Sequence, residues 1–191
     1  MTKQRLEAFS DGVIAIIITI MVLELRPPQG VALESLRGLA PVLGSYVLSF
    51  VFVGIYWNNH HHLLHATHSV TGRVLWANLY LLFWLSLIPF GTAWLGQSRA
   101  APWPTAIYGF VLFMAGGAYQ LLEGAILAHQ GPGSQLAAVL GERRKEWLSV
   151  TSYLAAIVLA FVSTWLSLAL YVAVAALWFT PDRRIEHGIR E

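Results

Sequence analysis

The chain consists of long apolar runs separated by short polar stretches. A helix needs about 20 mostly apolar residues to cross the roughly 30 Å of hydrocarbon in a bilayer. Six runs reach or approach that length, at roughly 8–26, 39–57, 74–96, 104–128, 146–162 and 164–180. The pattern therefore predicts an all-α integral membrane protein in which residues 1–191 form one domain of six transmembrane helices.

The last two runs are the least clearly separated. Between Trp147 and Phe179 the chain is almost continuously apolar, and only Ser163 and Thr164 interrupt it. This stretch is long for one crossing and short for two. Two short helices joined by a tight turn are the preferred interpretation, and one long tilted helix is the alternative.

Composition supports a membrane protein. Hydrophobic residues make up 57% of the chain and charged residues only 12%, against an average of about 25% charged in soluble domains. The eight Trp and seven Tyr suit the two interfaces of a bilayer, where amphipathic rings collect. The absence of cysteine excludes disulfides, thiolate catalysis and Cys-based metal sites. We therefore expect the lipid bilayer to be the surroundings of most of the chain.

The basic residues indicate the orientation of the six runs. With the N-terminus inside, the cytoplasmic side receives nine basic residues: Lys3, Arg5, Arg73, Arg143, Arg144, Lys145, Arg183, Arg184 and Arg190. The other side receives three: Arg26, Arg37 and Arg99. The positive-inside rule then predicts a multi-pass protein of the cell (plasma) membrane with both termini in the cytoplasm. The run at 143–145 is too short for a nucleic-acid tract, so no nucleic-acid partner is expected.

The first apolar run contains a carboxylate, Asp11, near its start. A charge at the middle of a membrane helix costs on the order of 2.5–3.5 kcal/mol, and less near the end, so Asp11 needs a hydrogen-bond partner inside the protein. At about 100° per residue, with Ile16 taken as zero, Asp11 falls at about −140° and Arg5 at about −20°. A straight helix therefore cannot pair them. The donors in reach are on the second run and its exit: Tyr56, Trp57, Asn58, Asn59, His60 and His61.

Two roles for Asp11 remain open. The carboxylate can act as a polar clasp between helices, or it can act directly in the function of the protein. The two roles are compatible with each other.

Another face of the same helix forms a continuous stripe. With Ile16 at zero, the stripe members fall within about 60° of that residue: Gly12, Ile16, Thr19, Ile20 and Leu23. The stripe is apolar except for the Thr19 hydroxyl, and Arg5 lies on its cytoplasmic extension. Asp11 lies outside it.

Several motifs of the first half follow one another in a recognisable order. They are Arg5, Phe9-Ser10-Asp11-Gly12-Val13, Ala15-Ile16, Thr19 and Pro27, then Tyr46, Leu48-Ser49-Phe50, Gly54-Ile55-Tyr56-Trp57, Asn59-His60-His61, Leu75-Trp76, Asn78-Leu79 and Leu87-Ile88-Pro89-Phe90. In this order they resemble the endolysosomal potassium channel family (transmembrane protein 175), and specifically its bacterial members. The second half is similar to the family only in hydropathy.

The resemblance implies a cation channel whose six-helix subunits place the first helix around a central pore. By position, Ile16 matches a hydrophobic constriction, Thr19 a hydroxyl layer associated with potassium preference, and Leu23 a further apolar layer. Gly12 and Ile20 are the secondary pore face. One such helix per subunit implies a homotetramer, because two inner helices cannot enclose an ion path.

The resemblance also implies a structural polar network around the Phe-Ser-Asp motif. Its expected members are Arg5, Phe9, Ser10, Asp11, Trp57, Asn59, His60 and His61.

The pore implied in this way is expected to lack a carbonyl-lined filter. The chain has no Thr-Val-Gly-Tyr-Gly loop, so a ring of Ile16 side chains would close the path by dewetting. Thr19 hydroxyls would replace part of the lost hydration and give a modest preference for potassium among monovalent cations. We expect no cofactor, no resident metal and no enzymatic activity.

The histidines and a second carboxylate support rival hypotheses. His61, His65 and His68 share a helical face, and the cluster is a polar helix end, a metal site or a pH sensor. Glu123 either contacts Arg143 or Lys145, reaches the interface, or relays protons. The rival functions are therefore a secondary transporter, a proton-coupled leak and a His-site membrane metalloprotein.

Overall fold

The computed structural model of the chain describes residues 2–28, 30–67, 69–131 and 144–179. These residues form helices and turns, with no strand among them. The helices are α1 (Lys3–Val22), α2 (Ala40–His65), α3 (Gly72–Ser86), α4 (Ile88–Gln97), α5 (Pro102–Gln130), α6 (Arg144–Leu159) and α7 (Thr164–Phe179). A short 3-10 helix, Leu33–Leu39, leads into α2. The all-helical prediction is thereby confirmed for the described residues.

Three helical stretches of the described chain are long and apolar enough to cross a membrane. They are Leu33–His65, Gly72–Gln97 and Pro102–Gln130. α7 is a shorter apolar helix. These lengths suit the roughly 30 Å of a hydrocarbon core.

The first two helices have different bounds from the predicted runs. α1 ends at Val22, before the predicted end at 26. Pro27 and Pro28 exclude a helix that continues past that predicted end, because a proline disfavours helical backbone in the residue ahead of it. α2 continues to His65, well beyond the predicted end at 57. The segment rich in Asn and His at 58–65 is therefore part of a helix and not an exit loop.

The third predicted run is broken into two helices that follow end to end. α3 stops at Ser86 and α4 starts at Ile88, with Leu87 as the cap of both. Pro89 lies in the first turn of α4, where its missing N–H costs least and where it prevents a continuous helix through this point. The break lies inside the stretch Gly72–Gln97, which is otherwise long enough to span.

The last apolar stretch contains two helices and not one long helix. α6 ends at Leu159 and α7 starts at Thr164. The turn between them is closed by backbone hydrogen bonds, from Phe161 N–H to the Val158 carbonyl (3.2 Å) and from Ser163 N–H to the Leu159 carbonyl (2.7 Å).

Hydrogen bonds between distant residues define two ends of the bundle. At one end the Lys3 ammonium donates to the His65 carbonyl (2.6 Å), and the Ser69 hydroxyl lies 2.7 Å from Nε2 of His129. At the other end the Gln97 amide donates to the Glu24 carboxylate (3.1 Å). Helices α1, α2, α3–α4 and α5 therefore run alternately up and down.

A close helix contact holds α7 against α5. A Cβ atom at Gly109 would collide with the hydroxyl of Tyr171, which donates to the Thr105 carbonyl at 3.1 Å. Gly117, further along α5, has nothing within 4 Å of a Cβ position. Only glycine lets the tyrosine reach α5 at the first of these two positions.

Candidate functional site

Helix α1 has one packed face and one uncovered face. Its packed residues are fully buried against α2, α3 and α4: Leu6, Ser10, Ile14, Ile17 and Met21. These residues lie between about 80° and 160° from Ile16 around the helix. The predicted stripe lies on the opposite side.

Each member of that stripe is exposed in the subunit. Relative exposure is 57% for Ile16, 45% for Ile20 and 74% for Leu23, and Gly12 and Thr19 are exposed as well. Leu23 is the C-terminal cap of α1 and keeps helical backbone angles, so it continues the stripe. An apolar strip of this length along one helix marks a surface that meets lipid, another chain or a pore.

The Thr19 hydroxyl donates its proton to a hydrogen bond within α1. Its Oγ1 donates to the Ile16 carbonyl at 2.9 Å, a bond that Ser and Thr often make within a helix. A hydroxyl has one donor and two acceptor lone pairs. The lone pairs of Thr19 therefore face the uncovered side as acceptors.

The Asp11 carboxylate is held by α2. Nε1 of Trp57 donates to Oδ1 of Asp11 at 3.0 Å, which selects one of the six candidate donors. The Trp57 ring stacks on the ring of His61, with centroids 5.9 Å apart. The contact lies on the flank of α1, away from the stripe, and joins α1 to α2.

A second polar contact, fully buried, joins three helices. Asn78 of α3 donates from its amide nitrogen to the Ser10 hydroxyl at 3.0 Å, and its amide oxygen lies 2.7 Å from Nε2 of His60. Ser10, His60 and Asn78 are each 1% exposed or less. The amide oxygen can only accept, so Nε2 of His60 carries the proton in this arrangement.

The other expected members of the polar network lie elsewhere. Arg5 and Phe9 are exposed on the stripe side of α1, at its first half. Asn59 lies about 160° around α2 from Trp57, and its carbonyl accepts from the Tyr119 hydroxyl at 3.2 Å. The Asn59 carbonyl therefore belongs to the contact between α2 and α5, and the place of this residue in the polar network stays a prediction.

Sequence reasoning missed a third polar cluster, in the other half of the bundle. The Thr92 hydroxyl lies 2.6 Å from Oγ of Ser49, which lies 2.9 Å from the Tyr108 hydroxyl. Thr92 also contacts the sulfur of Met21 at 3.9 Å. This buried cluster supports the second half of α1 through α4. The sequence contains no pattern that predicts this cluster, because hydroxyls within helices commonly bond to their own backbone.

The described histidines do not assemble into a metal site. His61 and His65 are 6.2 Å apart between ring centroids, α2 ends at His65, and His68 lies outside the described residues. Among the residues that the structure describes, no group of three His, Asp or Glu side chains could hold a metal ion.

Glu123 lies inside the protein and does not extend to the surface. It is 5% exposed and lines a cavity of about 60 Å³ together with Asn59, Tyr119 and Glu146. The cavity lies between α2, α5 and α6, away from the stripe. Arg143, one of the predicted partners of Glu123, lies outside the described residues.

Known proteins resemble both the site and the fold. The family model described as "Endosomal/lysosomal potassium channel TMEM175" matches residues 5–89, a range that contains the stripe, the Asp11–Trp57 contact and the Asn78 contact. A protein named as a potassium channel from a Chryseobacterium species is 48% identical over 191 residues, covering 100% of both chains.

A solved structure and a human protein extend the comparison. The crystal structure of a lysosomal potassium-selective channel TMEM175 homolog from Chamaesiphon minutus matches with a TM-score of 0.81 and 26% identity, over 94% of this chain and 97% of that chain. The human protein named endosomal/lysosomal proton channel TMEM175 is 26% identical over 181 residues, which cover 85% of this chain and 36% of the human protein.

Proposed function

Because the chain belongs to the TMEM175 family of endosomal/lysosomal potassium channels, we propose that it is a multi-pass cation channel of the cell membrane that prefers potassium. It is a channel and not an enzyme. The observation that carries the proposal is the uncovered apolar stripe of α1 with its single hydroxyl, Thr19.

The proposed assembly is a homotetramer with α1 at the centre. In one subunit no described helix covers Ile16, Thr19 or Leu23, and four copies around an axis would turn these residues towards a common path. Two copies would not enclose one. The six crossings are α1, α2, α3 with α4, α5, α6 and α7. The basic residues then place both termini in the cytoplasm.

Ile16 is the proposed constriction of the path. A ring of four exposed isoleucine side chains excludes water when it is narrow and passes hydrated ions when it widens slightly. Leu23 forms a second apolar layer at the C-terminal end of α1. Gly12 and Ile20, at about −40° and +40° from Ile16, border the path on either side.

Thr19 is the proposed source of the potassium preference. Because its hydroxyl proton is used on the Ile16 carbonyl, its oxygen presents lone pairs to a cation. Four such oxygens replace a small part of a hydration shell, which favours the more weakly hydrated ion. The carbonyl groups of α1 are used inside a continuous helix from Lys3 to Val22, which supports a path without a carbonyl-lined filter.

Current recording tests this proposal. The purified chain is reconstituted into planar bilayers with potassium on one side and sodium on the other, at equal pH. We expect discrete single-channel current steps. We also expect a reversal potential that is shifted from zero towards the equilibrium potential of potassium. Saturating flux without steps would indicate a transporter and contradict the proposal.

A proton pathway is the second candidate, favoured by the human relative, which is named as an endosomal/lysosomal proton channel. It predicts a reversal potential that follows an imposed pH gradient at symmetric potassium. A reversal potential that stays at zero under that gradient would exclude it. The two candidates therefore give opposite results in one preparation.

A further inference from the structure

An open apolar groove lies between α2, the turn from α4 to α5, and α7. Its volume is about 730 Å³, and its lining includes Gly44, Leu48, Leu168, Ala169 and Val172. We infer that this groove binds the acyl chain of a glycerophospholipid whose phosphate is held by Arg99. The inference rests on the membrane insertion in the proposed function and not on ion conduction.

Arg99 supplies the charge at the mouth of the groove. It is exposed, and among the described residues it is the only charged side chain that lines the groove. Its turn is well held, because the Ala100 N–H donates to the Leu95 carbonyl at 3.0 Å. A guanidinium with free donors pairs readily with a phosphate. A cation beside an apolar groove complements a phospholipid, which joins an anionic phosphate to a hydrocarbon chain.

The depth of the groove fits an acyl chain. Trp165, 79% exposed, lines the groove together with Arg99. It lies at the start of α7, and the turn before α7 contacts the start of α5 through the rings of Phe161 and Trp103, 5.0 Å apart between centroids. Trp165 therefore lies towards the same end as Arg99 and suits the headgroup level of a bilayer, where Trp is enriched. Val172 lies about 10 Å further along α7 at 1.5 Å per residue. The mouth is therefore at headgroup depth, and the floor is in the hydrocarbon.

The groove continues into a second one that shares part of its wall. Both are lined by Gly44, Leu48 and Val172, and the second reaches Val51 and Phe179. From Trp165 to Phe179 the path along α7 is about 21 Å. This exceeds half of the roughly 30 Å hydrocarbon thickness, which is the depth available to an acyl chain of one leaflet.

The position of the groove argues against a second copy as its occupant. Gly44 lies about 140° around α2 from Trp57, the residue that contacts α1. In the proposed tetramer the stripe of α1 faces the other copies, and α1 packs on the side of α2 that carries Trp57. The groove therefore lies on a different side of α2 from the proposed contact between copies. The small residues Gly44 and Ala169 line the groove and leave room there for a flexible chain.

Photolabelling tests the inference directly. The probe is phosphatidylglycerol with a photoactivatable group in one acyl chain, at low fraction in phosphatidylcholine vesicles that contain the full chain. Labelled residues are then identified by mass spectrometry. We expect labels on α2 and α7 along the groove. Labels spread evenly over all exposed apolar helix faces would overturn the inference.

Two variants and a matched control sharpen the test. A Cβ at Gly44 meets nothing within 4 Å, so Gly44→Leu fills the groove without disturbing the fold and is expected to abolish the groove labels. Arg99→Gln is expected to reduce them about tenfold, the loss of one charge-assisted contact. Gly117→Leu adds the same side chain at another open site and should leave them unchanged. Unchanged labelling in Gly44→Leu would contradict the inference.

Two further arms exclude other occupants. The chain has no cysteine, so a single Ala169→Cys variant can be treated with a bismaleimide. Cross-linked dimers would show that a second copy covers the groove and would overturn the inference, whereas monomers support it. Excess glycerol phosphate carries the phosphate without an acyl chain and should reduce the labelling no more than Arg99→Gln does. Complete competition would show a site for free phosphate and would also overturn the inference.

Discussion

Trp57 donates its indole N–H to the Asp11 carboxylate at 3.0 Å, and this contact lies about 140° around α1 from Ile16. One helix therefore carries two separate surfaces. The flank with Asp11 binds the subunit's own α2, while the stripe with Ile16 is left for contacts outside the subunit. Substitutions on the two surfaces should have different consequences.

We expect Asp11 and Trp57 to be energetically coupled. Asp11→Ala and Trp57→Phe each remove the hydrogen bond, and the Phe variant keeps a ring beside His61. A double-mutant cycle should give a coupling free energy of roughly 0.5–1.5 kcal/mol, the range for polar contacts between membrane helices. Reversible unfolding in mixed micelles measures it. Asp11→Asn keeps an acceptor oxygen and should retain most of the stability; strict additivity of the two single losses would disprove the coupling.

Loss of Asn78 should destabilise the protein more than loss of a partly exposed asparagine. Asn78→Leu leaves the Ser10 hydroxyl and Nε2 of His60 buried without their partner, which costs roughly 1–3 kcal/mol. The control is Asn58→Leu, at a partly exposed position of α2. Unfolding of both variants in the same micelles gives the comparison. Equal losses of stability would show that the buried amide is not a structural contact.

Ile16→Asn should increase the current. A polar ring hydrates a constriction that an isoleucine ring keeps dry, so we expect a higher open probability or leak in planar bilayers. Val22→Asn is the matched control, because Val22 is 45% exposed on the same helix but lies about 120° from Ile16. An unaltered current in the Ile16 variant would show that Ile16 does not form the constriction.

Thr19→Ala should lower the preference for potassium over sodium. The substitution removes the oxygen that faces the proposed path, whereas Thr19→Ser keeps a hydroxyl able to bond the Ile16 carbonyl. Reversal potentials with potassium and sodium on opposite sides should shift towards zero for the Ala variant and stay near the original value for the Ser variant. If both variants behave like the parent, the preference arises elsewhere.

Two alanine substitutions in α5 should have opposite effects. Gly109→Ala forces the Tyr171 hydroxyl away from α5 and breaks its bond to the Thr105 carbonyl, so stability should fall. Gly117→Ala meets no neighbour and should raise stability by up to about 1 kcal/mol through helix propensity. Thermal denaturation in detergent compares the pair. A stable Gly109→Ala variant would show that α7 can move away without cost.

The sequence predicts α1 best, because the helical period alone separates its stripe from its packed face. Apart from Lys3 in the first turn, the residues at about 80–160° from Ile16 are all apolar or small, and these are the ones that α2, α3 and α4 cover. The family resemblance is confirmed by the comparisons. The pore roles of Ile16, Thr19 and Leu23 stay predictions.

Contacts between helices were harder to predict. Helical spacing limited the possible donors to Asp11 to a few residues of α2. The distance between Nε1 of Trp57 and Oδ1 of Asp11 selects Trp57 among them. Asn59 lies on the far side of α2, where its carbonyl contacts Tyr119. The position of Asn78 among the apolar residues in the middle of α3 was a usable signal, because a buried amide needs partners. The cluster of Ser49, Thr92 and Tyr108 joins helices far apart in sequence, and no local pattern reports such distances.

The break at Leu87 has a mechanical consequence for α1. Below the break, α3 holds the first half of α1 through the buried amide of Asn78. Above it, α4 holds the second half through side-chain packing, the weak contact between Thr92 and Met21, and the hydrogen bond from Gln97 to Glu24 just beyond the helix end. The helix that carries Ile16 and Thr19 is thus held by a buried amide in its first half and mainly by packing in its second half. A tilt of the second half of α1 together with α4 would change the radius of the proposed path while the first half keeps its position.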